Sequence, residues 1–506
     1  MIVYRLTTNQ PVFVMRKASQ SLATLGKSEC VQFSNLRELF SRNPVKGVPR
    51  KLIYSDLLHL VVPAAIEYVL LQFVGMFDQI QVGVLGEHAL SAVGLSSQIR
   101  VLLMTVFQGI NVGVTALVAR SVGQGKQEDF FIILRQGIKL CIIAFIPLVV
   151  ISIVFLDGIL TIFNCPSEQA RIYAYDYLRI SIIFSLPAFI TMSITAALRG
   201  AGDARTPLFY NVLANVLNVF LNWVMITGKL GFPRLEVKGA AIATIISQTV
   251  AAVIAVAVVL SRKRRASRWH IPKEHGSDLK LYTKGIVVIG LPTMFEQFVM
   301  RIGMAMFTSI AASLGPTLYA AHAVSLNIQQ LTFMSGMAFS VASTTLAGQS
   351  VGAGRKDMAV VYTWYCAKLC LGFSLILSAV YAFLGSKLIA IYTTNTAIIQ
   401  AGIIPLRMVA FTQPLIAFQY VFGGAFKGNG DTKATAIIGI ISSFICRPLF
   451  AYLGVYVWNL GLVGAWIGLA VDQALCSCLL INRFISCKWL HAMDSFEIKR
   501  RKSNEQ

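Results

Sequence analysis

Apolar residues run in long, nearly unbroken blocks along this chain, where a soluble protein would show alternation or one apolar stripe per helix. Six blocks fill the first half, at 57–84, 89–119, 130–155, 173–198, 207–226 and 239–260, and six more the second, at 285–314, 320–347, 359–391, 398–426, 434–458 and 460–484. A helix crosses a hydrocarbon core of about 30 Å with about 20 residues. Lipid leaves a lone segment no other way to satisfy its backbone N–H and C=O groups. The pattern predicts an all-α integral membrane protein with twelve transmembrane helices.

The polar stretches between the blocks carry a strong charge asymmetry. Of 44 Lys and Arg, 34 fall in the two tails, the even-numbered loops and their immediate flanks. Five lie in the odd-numbered loops (Arg171, Lys229, Arg234, Lys238, Lys387) and five inside blocks (Arg100, Arg179, Arg301, Arg407, Arg447). Short basic loops stay on the cytoplasmic side, so both termini and the central linker are expected there. The chain then divides into a basic N-terminal tail (1–56), a first lobe of helices 1–6 (57–260), a basic cytoplasmic linker (261–284), a second lobe of helices 7–12 (285–484) and a C-terminal tail (485–506). The tail has no acidic residue before Glu29 and no apolar core followed by a cleavage site, so a secretory signal is not expected there. A plasma membrane is the expected location, with an organellar membrane the less favoured alternative.

Composition agrees: 56% of the 506 residues are hydrophobic and 13% charged. A net charge of +22 would suggest nucleic acid in a soluble chain, but topology accounts for the excess and no nucleic-acid partner is expected. The nine cysteines are odd in number, lie mostly in apolar blocks and lack paired Cys-x-x-Cys spacing, which points to buried thiols and no metal. Gly26-Lys27-Ser28 mimics the end of a phosphate-binding loop, but Ser21 stands where its first glycine is needed, and His-Glu-x-x-His is absent. No enzyme activity is expected.

The halves repeat. At an offset of 229, Pro63 matches Pro292, Glu67 matches Glu296, Leu85-Gly86 matches Leu314-Gly315, and Ser121-Val122-Gly123 matches Ser350-Val351-Gly352. One residue then slips out, after which Arg179 matches Arg407 and the 199–203 loop matches 427–431. Each half holds an even number of spans, so both insert in the same orientation as two parallel six-helix lobes.

Several stretches carry a family resemblance: 113–125, the loop at 196–207, the run from Ala311 to His322, Leu178-Arg179-Ile180, the loop at 424–433 and Arg447-Pro448-Leu449. Over about 57–484 the chain resembles the multidrug and toxic compound extrusion (MATE) family, in its bacterial DinF/NorM-like branch. The resemblance implies a secondary antiporter in which two lobes enclose a central cavity. Inward flow of protons or sodium then exports small, often cationic amphipathic compounds. It implies no cofactor beyond the ion gradient, with small-molecule substrates and the lipid bilayer as partners; a monomer is expected. Within the same superfamily the alternatives are sodium-coupled efflux and a lipid-linked precursor flippase.

Charges at the bilayer centre are costly, so carboxylates inside spans are functional candidates. Four qualify, Glu67, Asp78, Glu296 and Asp472, while Asp176 sits too near the end of its block to count. Asp78 lies fifteen residues after Pro63, the spacing at which the resembling proton-coupled proteins carry their first-helix aspartate. In the fifth block Asn211, Asn215, Asn218 and Asn222 recur at spacings of four, three and four, one polar stripe along a helix. Asp78 with these amides is the leading proton-coupling and substrate site; interhelical glue is the plainer reading of the stripe. Further candidates are Glu67, Glu296, Pro63 as a hinge and Arg100, whose alternative role is a permanent partner for Asp78. The family often has a second carboxylate near the position of Asn222, and its sodium-coupled members carry second-lobe acids not matched here; both departures favour protons. Arg199, Asp203, Arg205, Lys427, Asp431 and Lys433 are candidates for a cytoplasmic gate, with tight turns and helix capping as the alternative. Pro187 reads as a kink or hinge, Arg179 and Arg407 as snorkelling side chains, and His322 as a packed histidine or a proton relay.

Overall fold

The computed structural model describes residues 48–162, 167–266 and 276–494. Most of the N-terminal tail, part of the linker and the end of the C-terminal tail lie outside the described residues. The helices run α1 Arg50–Gly83, α2 Glu87–Gly123, α3 Asp129–Val154, α4 Leu156–Ile162, α5 Glu168–Ile183, α6 Leu186–Gly200, α7 Arg205–Thr227 and α8 Glu236–Ala266. They continue as α9 Gly276–Ala312, α10 Pro316–Gly352, α11 Lys356–Ala390, α12 Thr396–Gly428, α13 Thr432–Val457 and α14 Gly461–Ile485. No strand occurs among the described residues.

Ten of these helices are long and apolar enough to cross a membrane. The α5–α6 pair, bent by 53°, passes the same test of length and composition when counted as one span. The bend has a local cause: Pro187 sits in the first turn of α6, where its missing N–H costs no helical bond, and the Ser185 hydroxyl donates to the Ile182 carbonyl at 2.9 Å in the last turn of α5. The remaining long helix is α10, at 37 residues. Its length suffices, and buried polar side chains (Ser325, Gln329, Thr332, Ser343, Thr345) make it less apolar than its neighbours. Each of the twelve apolar blocks is therefore helical, with α4 as a short addition after the third. Large apolar side chains such as Ile80, Val150, Phe383 and Phe411 point outward, the inversion expected of a chain solvated by lipid.

The chain forms two compact units. Among the described residues the first comprises 66–118 and 126–290, and the second 48–65, 119–125 and 291–494. The first is built on small apolar clusters, including Val82, Ala89, Tyr177 and Ile226, and Phe107, Cys141 and Phe189. The second packs around Phe307, Tyr381, Leu406 and Trp466. Helices α1 and α9 each contribute to both units, changing membership two residues after Pro63 and two before Pro292. Their leading turns are anchored by tyrosine–aspartate bonds: Tyr362 donates to Asp56 at 2.7 Å within the second unit, and Tyr282 donates to Asp129 at 2.6 Å within the first. In the second unit the end of α2 crosses the end of α10 with backbones in contact. A Cβ at Gly123 would collide with the Gln349 carbonyl, and one at Gly352 with the Arg120 carbonyl.

Candidate functional site

Helices α1 and α7 meet along their polar faces in a fixed register. Asn211 Nδ2 donates to Glu67 Oε1 at 2.7 Å, and Asn222 Nδ2 donates to Asp78 Oδ1 at 2.7 Å. Both pairs are separated by 144 residues, so the helices run parallel and each carboxylate meets its own amide eleven residues apart. The stripe read from the sequence thus faces the acids at its two ends. Asn218 turns to Thr244 of α8, at 3.3 Å, and Asn215 is half-buried with no side-chain hydrogen bond among the described residues.

Around Asp78 the acceptors outnumber the donors. Gln81, one helical turn on, donates Nε2 to the Val219 carbonyl at 3.2 Å, and its Oε1 is buried without a partner. The Oδ1 of Asn222 is unpartnered too. Sequence reasoning passed over Gln81, although its i+3 spacing from Asp78 places it on the same face. Arg100 influences Asp78 by its charge alone; the two form no ion pair, and Arg100 Nε is buried without a hydrogen-bond partner. Pro63 lies inside a continuous α1.

The other three intramembrane acids are paired. Glu67 meets Arg199 at 2.7 Å, and Arg199 also donates to the Tyr68 hydroxyl at 3.2 Å. Glu296 meets Lys427 at 2.9 Å and accepts from the Thr435 hydroxyl at 3.2 Å. Asp472, fully buried, is bound by Arg447 and accepts from the Ser443 hydroxyl at 3.0 Å. Ser443 lies in a π-helical stretch of α13, Ile440–Cys446, whose end brings Arg447 to the same carboxylate.

The loop residues considered for a cytoplasmic gate take several parts. Arg199 and Lys427 reach back to the buried glutamates just described. Asp203 caps α7, accepting from the backbone N–H of Arg205 and Thr206 at 3.1 and 3.0 Å. Asp431 holds Arg483 in a forked pair at 2.9 and 3.1 Å. Arg205 and Lys433 are exposed. Arg179 and Arg407 are exposed on their helices, and His322 is fully buried against Phe307 and Trp466. Gly348-Gln349-Ser350-Val351-Gly352 has the spacing of a nucleophile elbow, but it forms the last turns of α10 with Ser350 buried, and no strand leads into it. No group of three His, Cys, Asp or Glu suited to a metal ion occurs among the described residues.

The profile of the MatE family matches residues 63–224 and 292–453, one copy in each half of the chain. The chain is 33% identical to a probable multidrug resistance protein NorM of Thermotoga maritima over 447 residues, covering 88% of this chain and 95% of that protein. A protein of the same description from Halalkalibacterium halodurans is 28% identical, covering 84% and 92%. An uncharacterized transporter, YisQ, of Bacillus subtilis is 24% identical, covering 86% and 95%. Among solved structures, a MOP superfamily transporter from Pyrococcus furiosus superposes with a TM-score of 0.78 at 22% identity, over 86% of this chain and 96% of that one.

Proposed function

The chain belongs to the MatE family, and on that premise we propose that this multi-pass membrane transporter exports small, often cationic amphipathic compounds in exchange for protons, with Asp78 taking up the proton. One observation carries the reading. Of the four candidate carboxylates singled out above, Glu67, Glu296 and Asp472 are each neutralised by a basic side chain, whereas Asp78 is held by the neutral amide of Asn222. A carboxylate already paired with Arg or Lys gains little by taking a proton, because the pair is neutral as it stands. An acid held by an amide changes the charge of its surroundings whenever it is protonated.

Exchange follows from that change. As an anion, Asp78 with the unpaired oxygens of Asn222 and Gln81 forms an acceptor-rich patch suited to a cationic N–H donor. Once protonated it loses its attraction for the cation. Proton and substrate then exclude each other, and each favours the conformation it binds better, which is the minimum for antiport. On this reading the partners are small molecules and the lipid bilayer, and the chain works as a monomer. The charge asymmetry of the loops supports cytoplasmic termini in a plasma membrane.

The test is purified protein in liposomes loaded with a fluorescent cationic dye, with a proton or a sodium gradient imposed separately. Dye movement driven by the proton gradient and unchanged by sodium is expected. Movement driven by sodium alone would replace the coupling ion, and no movement across a broad dye panel would remove the multidrug reading.

A further inference from the structure

The second lobe contains a buried polar line that the coupling chemistry does not use. On α10, His322, Ser325, Gln329 and Thr332 follow one another at spacings of three, four and three, along one side of the helix. The first three are 0% exposed and Thr332 is 2%. Thr332 is satisfied: Gln413 Nε2 of α12 donates to its Oγ1 at 2.7 Å, and the Tyr381 hydroxyl lies 3.0 Å away.

Its neighbours are not. Both ring nitrogens of His322, Ser325 Oγ, both amide atoms of Gln329, Gln413 Oε1 and Trp466 Nε1 have no hydrogen-bond partner among the described residues. Trp466 stands edge-on to His322, with ring centroids 5.7 Å apart, and Phe307 closes the same end at 5.0 Å. Native interiors leave only isolated polar atoms unpaired, because each costs about as much as a lost hydrogen bond. Seven such atoms on three helices require a partner of their own.

The donor set identifies that partner's chemistry. Trp466 Nε1 only donates, Gln413 Oε1 only accepts, and His322, Ser325 and Gln329 do both. None carries a fixed charge, so the ligand is neutral. It has to donate and accept alternately over the roughly 15 Å that ten helical residues span, from His322 to the Thr332 that Gln413 bonds. We propose that a file of bound water molecules runs inside the second lobe along α10, from His322 and Trp466 to Gln413, held by these unpaired polar atoms. The file explains how α10 crosses the membrane while less apolar than its neighbours: its polar side is solvated from within.

X-ray radiolysis of the full chain in lipid nanodiscs generates hydroxyl radicals at bound water, and the molecule contains its own control. Trp466 and Trp489 are 1% and 0% exposed, but the Trp489 indole donates to the Phe484 carbonyl at 3.3 Å. Trp466 is expected to be oxidised about tenfold faster than Trp489, since only it faces internal water. Equal rates would overturn the proposal. Gln329→Met keeps the volume and removes both polar atoms; it should slow Trp466 oxidation severalfold and leave Trp489 unchanged, and an unchanged Trp466 rate would also overturn it. Exhaustive dialysis should alter neither rate. A Trp466 rate that rises on dialysis would mean that a small neutral solute, and not water, occupies the line.

Discussion

At matched positions of the two lobes, Glu67 meets Arg199 at 2.7 Å and Glu296 meets Lys427 at 2.9 Å. Even the helix beside them corresponds: Asn211 bonds Glu67, and Gly439, its equivalent by the repeat, lies so close to Glu296 that a Cβ there would come within 3.2 Å of Cγ. Eleven residues along, the lobes part. The first has Asp78; the second has Phe307, fully buried. The second lobe's other acid, Asp472, is tied to Arg447 beside a π-helical stretch, where the first lobe has the regular helix α7 and its asparagines. A duplicated half thus kept its neutralised ion pair in both copies and carries the unneutralised acid in one. That pattern fits a shared pair that serves the folding of each lobe, and it makes the unshared acid the residue on which the exchange proposed above rests.

The strongest way to break this contrast is Asp78→Asn, which preserves shape and deletes the charge. Proton-driven export should fall to the level of empty liposomes, with insertion and melting temperature unchanged; wild-type transport would show that the unneutralised acid is idle. Next in size is the shared pair. Arg199→Met leaves Glu67 buried without its counter-charge, which for a mostly buried pair costs about 3–5 kcal/mol. A lowered melting temperature in detergent reads it, and adding Glu67→Gln should recover more than half. Lys427→Met should show the same pattern, somewhat smaller, because Lys427 is the more exposed base at 20% against 13%.

Finer still, Asn222→Ala removes one hydrogen bond to a charged group, worth about 1.5–3 kcal/mol, so transport should slow by about tenfold or more. Asn218→Ala should cost less, and Asn215→Ala, which loses no bond, should transport as wild type.

The smallest effect concerns a contact of the second lobe alone. Burial pushes the Asp494 carboxyl up, but the hydrogen bond with His491 and the Lys356 ammonium at 3.2 Å outweigh it and hold it below the usual carboxylate value. A depressed folded-state pKa stabilises above the unfolded value and is lost as pH falls through the folded one. Asp494→Asn should therefore lower stability by less than about 1 kcal/mol at pH 6, and the gap to wild type should close on acidification toward pH 3.

Much of this organisation is legible in the residues themselves. Span number, the repeat and the asparagine stripe follow from apolar block length and helical spacing, because lipid makes both requirements strict. The Asp78–Asn222 bond was within reach, since two polar lines on neighbouring helices have few other places to face. The partners of Glu67 and Glu296 were not read, although the repeat keeps an acid and a base at matched positions in each half, and that joint retention was the available signal. Asp56 with Tyr362, 306 residues apart, gave no sign at all: a lone acid at a helix start reads as an ordinary cap until tertiary packing supplies its donor. The α13 π-turns were equally hidden, since an extra residue per turn leaves apolar composition unchanged.

The crossing of α2 and α10 bears on how this gene tolerates change. Positions 123 and 352 carry no side chain to titrate or bind, yet any side chain placed there would strike a neighbouring backbone carbonyl, which cannot swing aside as a side chain can. In a saturation library selected for drug survival, both should emerge as near-invariant, while the lipid-facing Phe383 and Phe411 accept most apolar codons. Intolerance to substitution is therefore a poor guide to transport residues here: the strictest sites in such a screen would be two glycines whose requirement is purely steric.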